Sequence, residues 1–154
     1  MPCFTDADRK KKGGRIQLPE NPGNLSADAL SRLEDAVRAA VREGGVPCAG
    51  AWTVARQAGV SRLDVGVAVD RLGLRVTDCQ LGCFQVSKTP YAGPRGDAPE
   101  DETARRVAAL QAAGGLTCAA VFELARELGR KPLVVADAAN VRGYKIRECQ
   151  LGCF

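Results

Sequence analysis

The chain contains itself twice. Asp78-Cys79-Gln80-Leu81-Gly82-Cys83-Phe84 returns 70 residues later as Glu148-Cys149-Gln150-Leu151-Gly152-Cys153-Phe154. Sliding the sequence by 70 keeps the copies in register without a gap back to about residue 31, and 19 of the 54 paired positions are identical. Gly44-Gly45 falls on Gly114-Gly115, Cys48-Ala49 on Cys118-Ala119, Ala55-Arg56 on Ala125-Arg126, and Trp52 on Phe122. Agreement of this kind marks an internal repeat, and each copy is then one small supersecondary unit. The 154 residues suffice for one ordinary domain or two small ones; the repeat selects two. We read residues 1–28 as a basic N-terminal extension and 29–84 as the first copy. A linker rich in Pro, Gly and charge fills 85–100, and the second copy spans 101–154.

Inside a copy the periodicity is helical. Leu30, Leu33, Val37 and Val41 recur at spacings of three and four, as do Val107 and Leu110 in the second copy. The Gly44-Gly45 and Gly114-Gly115 pairs are expected to end this first helix, because glycine takes a left-handed cap at no steric cost. A second helix is expected from about Cys48 to Ala58 and from Cys118 to Leu128, with Thr117 at the N-cap and Pro47 as its counterpart. Ala55, Gly59 four residues later and Val65 six after that have the spacing of a helix-turn-helix, repeated as Ala125, Gly129 and Val135. A small residue lets the two helices cross closely, the glycine makes the turn, and the valine packs the next helix back. Ser61 and Asp64 form a capping box at the start of that helix, and Pro132 suits a first helical turn. Beyond it Leu74–Asp78 and Tyr144–Glu148 alternate apolar and polar residues as a strand would, and Val46 and Leu116 mark a short earlier strand.

On these residues the chain resembles the winged helix-turn-helix superfamily of prokaryotic DNA-binding domains, over both copies. The fold class expected is mainly α with small β wings (α+β), as two tandem winged helix-turn-helix-like domains. Only one strand is readable after the recognition helix, so the wing is abbreviated. The resemblance implies double-stranded DNA as partner and a role in transcription regulation, with recognition helices over 62–73 and 132–143. The candidate DNA contacts are Arg62, Arg71 and Arg75 in the first copy and Asn140, Arg142, Lys145 and Arg147 in the second. The basic run Arg9–Lys12 could add phosphate contacts. Asp64, Asp70 and Asp137 work against DNA, and a module that docks a protein partner stands beside the DNA reading. The exposed recognition positions differ between the copies, which implies an asymmetric site or divided roles.

Composition narrows the chemistry. There is no histidine, which removes the commonest general base and nitrogen metal ligand. No phosphate-cradling glycine loop or serine elbow is readable, so an enzyme is not expected. The net charge of +4 and pI of 8.8 are mild for a nucleic-acid domain. No apolar run is long enough to span a membrane and no export signal is visible, so a cytoplasmic location is expected.

Six of the seven cysteines follow the repeat: Cys48, Cys79 and Cys83, then Cys118, Cys149 and Cys153. Cys48 and Cys118 open helices, where the dipole stabilises a thiolate. If the short strands pair, the three thiols of a copy approach one another, with Cys3 as one possible fourth ligand. That would suit zinc or an iron–sulfur cluster, sensing metal or redox state or making the chain a redox protein. Plain burial is the alternative, since cysteine packs as a small hydrophobe. For Gln80 and Gln150 a buried amide bonded to backbone is expected.

Overall fold

The structure, a computed structural model, describes residues 19–83 and 102–153. Arg9–Lys12, Cys3 and the linker lie outside the described residues. The described residues are mainly helical with two small sheets, an α+β composition. They fall into two compact units that cut across the sequence repeats. The first holds residues 19–79 together with 150–153; the second holds 80–83 and 102–149.

In the first unit α1 spans Ala27–Ala39, β1 Val46–Pro47, α2 Cys48–Ala58, α3 Arg62–Arg71 and β2 Val76–Thr77. Ser26 caps α1 by accepting from the Ala29 amide at 3.2 Å, and Leu33 and Val37 bury one stripe. The helix stops at Ala39 with Ala40 as a right-handed cap, four residues before the glycine pair expected to end it. Gly44 instead bends the following turn at φ 84°, after Glu43 at φ 49°. Gly45 serves close approach: a Cβ there would collide with the Thr77 methyl and stand 3.2 Å from the Arg75 carbonyl oxygen. That contact seats β1 beside β2, which pair in parallel with Val46 opposite Val76 and Pro47 opposite Thr77.

Two helices joined by a glycine turn form at the predicted spacing. Gly59 closes α2 in the left-handed region (φ 67°, ψ 32°), donating to the Ala55 carbonyl. A Cβ at this position would meet nothing within 4 Å, so the dihedral and not crowding requires glycine. Ala55 and Val65 are both buried. The capping box is complete: the Asp64 amide donates to Ser61 Oγ at 3.1 Å, and the Ser61 amide to Asp64 Oδ2 at 3.1 Å. Apolar burial of this core (Leu33, Val37, Val46, Val65 and Val69) is worth roughly 1.5–3 kcal/mol per side chain.

The second unit repeats the order with α4 Glu102–Ala112, β3 Leu116–Thr117, α5 Cys118–Leu128, α6 Pro132–Val141 and β4 Ile146–Arg147. Thr117 is the N-cap of α5 and accepts from the Ala120 amide at 3.1 Å, whereas Pro47 gives α2 no side-chain cap bond. Gly129 (φ 61°) makes the turn, and Pro132 sits in the first turn of α6. β3 and β4 also pair in parallel, Leu116 opposite Ile146. Each strand after the recognition helix ends on an acidic residue at positive φ, Asp78 (50°) and Glu148 (52°), so neither continues into a hairpin among the described residues. No helix among them is long and apolar enough to cross a membrane.

Candidate functional site

Helices α3 and α6 are alike in sequence position and different in surroundings. In α3 every residue from Asp64 to Val69 is buried. Six consecutive residues cover more than one full turn, so the middle of the helix is enclosed on all sides. A helix that reads the major groove needs one open face. Part of the enclosure comes from residues 150–153. A methyl group at Gly66 would run into the Leu151 carbonyl oxygen, and the Leu151 carbonyl carbon lies 2.8 Å from the same point. Gly23, from the segment preceding α1, closes over Asp64 so that a Cβ would stand 2.7 Å from Asp64 Oδ2.

The first copy's candidate DNA contacts are engaged within their own unit. The Arg62 guanidinium lies over the Trp52 ring, 3.5 Å from its centroid, and donates to the side-chain oxygen of Gln150. Trp52 is half-buried and stacked, and its repeat partner Phe122 is half-buried as well. Arg71 pairs with Glu34 at 3.1 Å, a carboxylate that Arg38 also approaches at 3.8 Å. Arg75 is exposed, and its carbonyl accepts from the Val46 amide at 2.9 Å. Gln150 is half-buried and bonds a side chain, where backbone was expected.

The second copy is open. α6 buries Val135, Ala136, Ala138 and Ala139 and leaves Leu133, Asn140 and Val141 exposed, with Asp137 half-buried. Arg142 bends back to donate to the Ala138 carbonyl at 2.8 Å, so part of its donor capacity closes the helix end. Lys145 and Arg147 are exposed beside and on β4. Two further cations escaped the sequence reading: Arg130 and Lys131, both exposed, occupy the turn just before α6, where the first copy has Val60 and Ser61. The adjacent basic pair in a helix-turn-helix turn was the available signal. Among the described residues, Arg130, Lys131, Lys145 and Arg147 make no ion pair, while Arg106 and Arg126 are spent on Glu127 and Glu123. The Arg126 hydrogen bond holds the Glu123 carboxyl below its ordinary value.

Within the described residues the charge is uneven. Residues 102–149 carry eight Lys/Arg against five Asp/Glu, and residues 19–79 carry seven against eight.

The cysteines divide between the units. Cys48, Cys79 and Cys153 belong to the first unit, and Cys83, Cys118 and Cys149 to the second. Cys48, Cys79 and Cys118 are buried, Cys149 and Cys153 half-buried, and Cys83 exposed. Each copy's expected set of three is therefore split, because the third thiol follows the point where the chain passes into the other unit. Among the described residues no group of three or more Cys, Asp or Glu is placed to hold a metal ion.

No family model, curated protein or solved structure matches the chain.

Proposed function

We propose that the chain is a double-stranded DNA-binding protein built on two winged helix-turn-helix-like modules, in which the second module makes the duplex contact and serves transcription regulation. The observation that carries this reading is the set of exposed cations without ion pairs that brackets α6: Arg130 and Lys131 before the helix, Lys145 and Arg147 after it. Cations at both ends of a groove-entering helix contact phosphate and fix its register. Between them Asn140 is the residue type that bonds an adenine edge, and Leu133 offers the apolar contact that a thymine methyl accepts. The parallel two-residue strand pair takes the place of a wing hairpin, so β4 presents its cations without a projecting loop. The first module, with α3 enclosed and its arginines engaged, serves as the structural partner.

The test is fluorescence anisotropy of the full chain on duplex fragments across a salt series. Affinity is expected to fall linearly in log–log form, with a slope near −0.9 for each phosphate neutralised. Absence of binding at low salt would sink the reading.

A protein-docking adaptor is the second reading, favoured by one observation. Leu63 and Leu133 occupy the same repeat position and are exposed to 37% and 41%. An apolar contact retained at the same place in both modules suits a partner surface better than a phosphate backbone. Association that persists at high salt would select it.

A further inference from the structure

Residues 150–153 reach the first unit from far along the chain; the Arg62–Gln150 bond spans 88 positions. Their seat has three features, directed at two residues of the segment, Gln150 and Leu151. Arg62, held flat over Trp52, donates to the Gln150 side-chain oxygen. Leu151 is only 3% exposed. Gly66 leaves the surface of α3 without a side chain where the Leu151 backbone passes, and any larger residue there would meet the Leu151 carbonyl. The seat thus reads an amide and then an apolar residue whose own backbone lies close to α3, and Gly152 follows at φ 75°, a backbone that favours glycine. Nothing in helix formation asks for this glycine: it stands mid-helix, where alanine is the better former.

The same tetrapeptide stands at 80–83, and it belongs to the second unit, with Leu81 buried. Each unit therefore incorporates one Gln-Leu-Gly-Cys segment, and in neither case is it the one that closes that unit's own repeat.

We propose that the face of α3 carrying Arg62 and Gly66 is a peptide-binding site specific for a Gln-Leu-Gly segment, with residues 150–153 as its resident, displaceable ligand. A separate peptide of that sequence takes the site when the resident segment is withdrawn. This holds whether or not the second module binds DNA, since none of its residues is among the proposed DNA contacts of α6 and β4.

Trp52, the only tryptophan, lies under Arg62 and reports occupancy. The full chain carrying Leu151→Asp is titrated with the synthetic peptide Glu-Ser-Gln-Leu-Gly-Ser-Phe, serines replacing cysteines to exclude thiol exchange. A saturable change in tryptophan emission is expected, at least about tenfold weaker for peptides with Gln→Ala or Leu→Asp, the loss of one good contact in an affinity. A folded variant whose emission is unmoved, or that binds all three peptides equally, overturns the proposal. Amide exchange of the unaltered chain supplies the second measurement, independent of whether the variant folds. Peptide in excess of the millimolar effective concentration of a tethered ligand is expected to raise exchange at 151–153 several-fold while α1 stays protected. Unchanged exchange at 151–153 overturns it equally.

Discussion

Gly66 is the residue on which local preference and tertiary demand disagree most sharply. Inside an isolated helix, replacing glycine with alanine stabilises by roughly 1 kcal/mol. Here the added methyl meets the Leu151 carbonyl. Gly66→Ala is therefore expected to destabilise the chain by about 1–3 kcal/mol, the range of an overpacked contact. In a Leu151→Asp background the same substitution is expected to change sign and stabilise. Urea denaturation of the four proteins of that cycle measures it, and a same-signed effect in both backgrounds would show that Gly66 has nothing to do with the seat. The capping residues behave more simply. Ser61→Ala and Thr117→Ala each remove an acceptor from a helix N-terminus and are expected to cost about 1 kcal/mol by the same assay. Glu123 supplies a pH signature. Its carboxyl titrates lower in the folded chain because Arg126 donates to it, so its contribution is present above the usual carboxylate pKa and is lost as pH falls through the lowered value. A small melting-temperature difference between the chain and Glu123→Gln at neutral pH is expected to shrink as pH falls below the ordinary carboxylate value and to vanish below the lowered one; a difference that grows in acid would contradict the assignment.

At the scale of elements, α3 and α6 show one arrangement of helices in two different surroundings. Both follow a left-handed glycine, both pack a valine at the crossing with the preceding helix, and both lead into a two-residue parallel strand. They part at what covers them. α3 is enclosed from Asp64 to Val69, while α6 keeps Leu133, Asn140 and Val141 in solvent. If α6 enters a groove, Arg130→Ala, Lys131→Ala, Lys145→Ala and Arg147→Ala should each reduce the salt slope of duplex binding by about 0.9. Arg62→Ala is expected to leave the slope alone and to lower stability, because it removes a ring contact and the Gln150 bond. A slope change for Arg62→Ala with none for Lys131→Ala would place the contact on the wrong helix.

Over the whole molecule, the compact units and the sequence repeats are offset by the Gln-Leu-Gly-Cys segments. That offset makes a prediction no contiguous two-domain chain would meet. Leu151→Asp is expected to raise amide exchange within 19–79, although residue 151 closes the second copy, and Leu81→Asp to raise it within 102–149. Exchange mapped by peptide-level mass spectrometry decides it: each substitution loosening its own repeat instead would refute the unit assignment. Among the described residues the basic excess lies in 102–149, which carry eight Lys/Arg against five Asp/Glu.

The sequence alone determined whatever depends on neighbours a few positions away. The helix-turn-helix spacing placed α2 and α5 at their observed ends, Ser61 with Asp64 announced the capping box, and Pro132 and Thr117 marked helix starts. Those signals are local because cap bonds and helical periods close within three or four residues. Gly44-Gly45 misled because glycine serves close approach as well as helix ends, and only β2 beside Gly45 distinguishes the two, whereas Gly114-Gly115 does close α4, the Gly115 amide donating to the Leu110 carbonyl. Unit membership of the cysteines was not legible for a related reason: equal spacing in two copies does not say which unit each segment joins. That choice belongs to tertiary structure. The enclosure of α3, the engagement of Arg62 with Trp52 and Gln150, and the openness of α6 rest on contacts up to 88 residues apart, and burial of a side chain at such a distance leaves no period in the chain to read.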